Sequence, residues 1–150
     1  MPRDPKHNTS KNEKTPLERK SIELTDHLFR KLCNEKVFPR RSRWLFAGKL
    51  ADLANDYMNC VDRANEIRVL TQTERNARHY WQTMALANLQ TLDARVNQAG
   101  RVLQIDANVM EYYAGLVNEC SRLIQAWMTS DEKKYGPPSN TIKRNDSSPK

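Results

Sequence analysis

Four stretches of this chain carry apolar residues at helical spacing, and each is bounded by residues that start or stop helices. No segment alternates apolar and polar residues as a half-buried strand requires, so sheet-based folds are excluded first. The first stretch opens at Thr15-Pro16-Leu17-Glu18: a Thr cap, a proline at the first helical position, and a Glu placed to reach back to the cap amide. Leu24, Leu28 and Leu32 then recur until Pro39 forbids continuation, which predicts a helix over about residues 16–34.

A second helix is expected from just after Pro39 to about Arg68, with Phe46, Leu50, Leu53, Ala54, Tyr57, Val61 and Ala64 on one face. Asp52, Asp56, Arg63 and Glu66 occupy the other, a mixed-charge face suited to solvent. Thr71 and Glu74 repeat the capping pattern and open a third helix to about Gly100, striped by Trp81, Ala85, Leu89, Leu92, Val96 and Ala99. Asp106 caps a fourth, whose Val109, Tyr113, Leu116, Val117, Cys120, Leu123, Ile124 and Trp127 end near Ser130, ahead of Gly136-Pro137-Pro138. Short connections force neighbours to run in opposite directions. The expected fold is therefore all-α: an antiparallel up-down four-helix bundle over residues 16–130, with flexible basic tails at 1–15 and 131–150.

The 150 residues carry a formal charge of +7, with six bases and three acids in residues 1–20, fourteen and twelve in 21–130, and five and three in 131–150. Tail charge attracts any polyanion weakly and says little about function. In the middle segment eleven of the fourteen bases are Arg, whose planar fork suits phosphate and carboxylate better than an ammonium does. Arg30, Arg40, Arg41 and Arg43 cluster there.

The search for catalytic chemistry returns little. Gly48, Gly100, Gly115 and Gly136 are too scattered for a phosphate-cradling loop, so nucleotide-binding signatures are missing. No Glu is followed three residues later by a His, Asp4 and His7 share that spacing only in the expected tail, and with only His7, His27 and His79 no metal site or metal cofactor is expected. Cys33, Cys60 and Cys120 show no CxxC spacing and read as small core residues of a reducing cytoplasm. No apolar run approaches the roughly 18 residues that span a bilayer, and the N-terminus is polar, so a cytoplasmic protein without membrane contact is expected.

Arg75-Asn76-Ala77-Arg78-His79 superficially resembles the Arg/His motif of HEPN-type ribonucleases, but only three residues separate Arg75 from His79. One helical position of displacement rotates a side chain by about 100°. The chain reads as a non-enzyme, and binding remains. Arg75 and Arg78, one turn apart at a helix start, form a candidate phosphate seat, with two solvated arginines as the plain alternative. Arg95 falls beside the apolar stripe, suiting a subunit seam or lumen, or else a carboxylate or backbone partner. Tyr80, Met84 and Ala87 form a second apolar flank, and Trp44 and Leu45 fall outside the main stripe of their helix. These five are candidate oligomer contacts.

The run Phe38-Pro39-Arg40-Arg41-Ser42-Arg43-Trp44-Leu45-Phe46-Ala47-Gly48-Lys49-Leu50 resembles a segment of the accessory variability determinant proteins of diversity-generating retroelements. Met110-Glu111-Tyr112-Tyr113 through Ile124-Gln125-Ala126-Trp127-Met128 resembles the closing helix of that family, and the related ribosomal intervening-sequence bundle proteins look similar where the second helix opens. The resemblance covers about residues 20–130. It implies a barrel-like homopentamer of four-helix bundles that binds the retroelement reverse transcriptase and its template RNA, with DNA or an RNA-DNA hybrid as the alternative nucleic acid. The polymerase performs the mutagenic cDNA synthesis and the accessory protein contributes a scaffold. Arg40, Arg41, Arg43, Arg75, Arg78, Arg95 and Arg101 are then the expected nucleic-acid or polymerase contacts. The chain departs from the family where Asp93 and Asn97 interrupt a late arginine series, leaving Arg95 and Arg101. The rival expectation is a protein-interaction scaffold with incidental nucleic-acid affinity.

Overall fold

The computed structural model describes residues 14–139. These form four helices: α1 (Pro16–Leu32), α2 (Arg43–Glu66), α3 (Gln72–Leu103) and α4 (Ala107–Tyr135), with a 3-10 turn at Arg40–Ser42 leading into α2. Among the described residues there is no strand. The helix starts follow the cap chemistry. Thr15 Oγ1 accepts from the Glu18 amide at 3.2 Å, the Thr71 amide donates to the Glu74 carboxylate at 3.1 Å, and Asp106 Oδ1 accepts from the Asn108 amide at 2.7 Å.

Helices α1 and α3 each pack against both α2 and α4. The apolar stripes converge on one core built from Leu24 and Leu28, Leu50, Ala54 and Tyr57, Leu89, Leu92 and Val96, and Val117, Cys120 and Ile124. A fully buried side chain of leucine size contributes roughly 1.5–3 kcal/mol, so this shared interior holds the four helices together. Two polar groups that the periodicity did not single out also sit inside. Ser21 Oγ and Tyr57 OH meet at 2.7 Å, and Thr25 Oγ1 donates to the Ser21 carbonyl at 3.0 Å, so neither side chain is stranded. Cys60 and Cys120 are buried as expected, whereas Cys33 is exposed at the end of α1.

The largest departure from the sequence reading is at the C-terminal end. The helix expected to stop near Ser130, with a flexible tail beginning at residue 131, runs on to Tyr135. Asp131 explains the extension: it is 3% exposed and accepts from the Arg78 and Gln82 side chains, so the last turns of α4 are pinned to α3. Gly136 then ends the helix with φ +81°, a left-handed conformation that costs glycine little. Beyond it, the Ser139 amide donates to Asn76 Oδ1 at 2.9 Å and Asn76 Nδ2 donates to Ser139 Oγ at 3.0 Å, fastening the chain to the first turn of α3. The remainder of the tails expected at 1–15 and 131–150, residues 1–13 and 140–150, lies outside the described residues.

Candidate nucleic-acid interface

The seven arginines expected to meet a polyanion divide into two groups. Arg75 and Arg78, expected as a phosphate seat, are consumed inside the protein. Arg75 is 2% exposed and its Nε donates to the Gly136 carbonyl at 3.1 Å. Arg78 makes a bidentate bridge to Asp131, with Nε and Nη2 each at 2.7 Å, and Nη1 reaches the Ile67 carbonyl at 3.3 Å. Its guanidinium also lies 5.2 Å from the Trp127 ring centroid and 5.6 Å from that of Tyr135. With three of its five N–H donors bonded inside the protein and its side chain only 15% exposed, this guanidinium offers little to a phosphate.

Arg40 and Arg41, on the 3-10 turn, are exposed and make no side-chain hydrogen bond or ion pair among the described residues. Arg43 is half-buried, because its Nη2 turns back to the Cys33 carbonyl at 3.4 Å and to Glu35 at 3.8 Å. Arg101 is exposed. Arg95, expected beside the apolar stripe, is also exposed, and its Nη1 donates to the neutral Gln98 Oε1 at 2.7 Å, so its charge stays uncompensated.

Arg95 has neighbours that its sequence position did not suggest. An open groove of about 490 Å³ between α2 and α3 is lined by Leu45, Phe46, Lys49, Leu50 and Leu53 from one helix and Thr91, Arg95 and Gln98 from the other, with Asp52 its single acid. Lys49 was not singled out from the sequence. Its signal was present, since it lies one turn beyond Leu45, but one lysine on a helix surface is an ordinary sight. Trp44, 77% exposed, precedes Leu45 in the sequence but is not part of the groove's lining.

The five expected oligomer contacts do not form one patch. Leu45 shares its groove with Thr91, Arg95 and Gln98, whereas Tyr80, Met84 and Ala87 lie along a part of α3 that meets the far half of α2. There the Arg63 guanidinium sits 4.6 Å from the Trp81 centroid, and Asn88 Nδ2 donates to Cys60 Sγ at 3.2 Å. Met84 is half-buried against the core and belongs to the bundle interior. Tyr80 and Ala87 remain exposed, with Tyr80 edge-on to Trp81 at 5.0 Å.

His79 is half-buried at the first turns of α3. Burial, and then the nearby Arg75, pull its pKa below the usual 6.5. Among the described residues no three His, Cys, Asp or Glu side chains group as metal ligands, and no helix is long and apolar enough to cross a membrane. Together the fold and this surface define an all-helical protein with exposed cations at Arg40, Arg41, Lys49, Arg95 and Arg101 and one uncovered tryptophan, Trp44. No family model matches the chain, and comparison with curated proteins and with solved structures returns no match.

Proposed function

We propose that this chain is a non-catalytic accessory bundle of a diversity-generating retroelement, which holds a reverse transcriptase and template RNA together during mutagenic cDNA synthesis. The observation that carries the reading is the exposed set of Arg40, Arg41, Lys49 and Arg95, none of which meets a carboxylate within ion-pair distance among the described residues. Contacts between such cations and phosphates position a nucleic acid without reading its sequence. The helices run up and down as antiparallel neighbours. This is supported by pairs that join the start of one helix to the end of the next, as Asn65 does with Glu18 and Arg78 with Asp131. Self-association as a homopentamer in the cytoplasm completes the proposal, with Tyr80 and Ala87 as the contacts left exposed on the α3 flank.

The test compares RNA binding by the full chain with that by residues 14–139. Retention of affinity in the shorter protein, with binding that weakens steeply as salt rises, is the expected result. Binding that disappears with the tails, or that ignores salt, refutes it. The rival scaffold reading draws on the apolar side of the groove, Leu45, Phe46 and Leu53, and gains if RNA affinity resides in the tails while a purified reverse transcriptase still binds. The ribonuclease reading finds no support, because Arg75 beside His79 is buried and donates to a backbone carbonyl.

A further inference from the structure

Trp44 is the most exposed large apolar side chain among the described residues, and nothing within the monomer accounts for it. Gly48 lies one turn further along α2, on the same face. A glycine inside a helix costs roughly 0.5–1 kcal/mol relative to alanine. Such a cost is usually offset by close packing, yet a Cβ built on Gly48 would meet no atom within 4 Å. Side chains on a helix lean toward its N-terminus, so any residue at 48 would lean over the indole of Trp44. Glycine leaves that approach clear.

The charge next to the indole in the sequence is mainly positive. Arg40 and Arg41 precede it, exposed and without an ion pair among the described residues, and the first turn of α2 holds no acid, while Glu35 reaches Arg43 at 3.8 Å. An uncovered aromatic plane flanked by free cations is complementary to an unpaired base with phosphates on either side, since every base presents a π-face and stacking tolerates any sequence. A duplex keeps its bases inside and offers this surface its phosphates alone.

We infer that Trp44 is a stacking platform for an unpaired base, with Arg40 and Arg41 on the flanking phosphates, so that the bundle selects single-stranded over duplex RNA. This rests on the nucleic-acid reading above and specifies the form of its ligand. The platform needs Trp44 open in the assembled protein, so the subunit contact lies elsewhere, on the Tyr80 flank.

The experiment measures binding of the full chain to a fluorescein-labelled oligouridylate and to an RNA duplex of equal length, by anisotropy, for the native protein, Trp44→Ala, Trp44→Phe, Gly48→Leu and the Arg40→Ala/Arg41→Ala pair. Circular dichroism and light scattering monitor fold and subunit number. Loss of one stacked base weakens single-strand binding about tenfold in Trp44→Ala. Gly48→Leu does the same by covering the ring, Trp44→Phe keeps most of the affinity, and duplex binding is unchanged in all three. The arginine pair weakens both ligands and lowers the single-strand salt slope by about 0.7 per lost phosphate contact. Unchanged single-strand affinity in Trp44→Ala overturns the platform while leaving RNA binding by the bundle intact, as does an equal loss for duplex and single strand. A change of subunit number in Trp44→Ala overturns it in favour of a second copy on this face. If the native protein binds neither RNA, the nucleic-acid reading falls with it, and an acidic protein segment becomes the partner this charge fits.

Discussion

Arg78 and Arg41 are the same residue type, and a local window of sequence around each shows a basic turn near a helix start. Their fates differ because Arg78 has a carboxylate 53 residues away that folding brings to 2.7 Å, and Arg41 has none among the described residues. Removing one partner of a buried pair strands the other charge, so Asp131→Asn or Arg78→Ala is expected to lower stability by about 3–5 kcal/mol. Urea unfolding measures this loss, and RNA affinity of the folded fraction should stay at the native value, since the two charges neutralise each other and their side chains are only 15% and 4% exposed. Gly48 gives the opposite sign. Gly48→Ala is expected to raise stability by roughly 0.5–1 kcal/mol, because the methyl group meets open space while the unfolded chain loses freedom. A drop in the urea midpoint of Gly48→Ala would contradict the open surface beside Trp44.

At the scale of elements, the starts of α1, α3 and α4 were legible because cap chemistry is local: a Thr or Asp side chain meets amides two or three residues on. Helix ends were less so. Ser130 looked like the end of α4 because the apolar stripe stops at Trp127, but the last turns are held by a buried ion pair and a buried amide rather than by apolar residues. Cutting the chain after Ser130 therefore removes Asp131 and the Gly136 carbonyl that Arg75 needs. Thermal unfolding of that truncation should occur about 10 °C or more below the native chain, the shift corresponding to a loss of about 3 kcal/mol. A truncation with a native melting temperature would show that the C-terminal clasp is ornamental.

Across the whole molecule, two histidines on different helices make stability depend on pH just below neutrality. Burial, and then Lys31 and Arg30, hold the His27 pKa below its usual 6.5, with Glu23 acting in the other direction and the ring 4.8 Å from that of Tyr112. His79 is lowered for the same first reason. A depressed pKa means that the unfolded chain takes up the proton more readily than the native one. The stability that neutral His27 and His79 contribute is thus complete above about pH 6.5 and is lost as pH falls through their native values. Asp62 and Asp93, raised above the usual 3.8 by burial, act in the opposite sense. Urea midpoints between about pH 7 and 5 should decline for the native chain, and the decline should flatten in the His27→Gln/His79→Gln variant. The helical class, the approximate extent of each helix and most of the core were present in the sequence, because helix periodicity and capping depend on neighbours within a turn or two. Which arginines face solvent, where α4 ends, and that Lys49 and Arg95 share a groove were decided only by packing, because each depends on groups from separate helices that no local pattern relates.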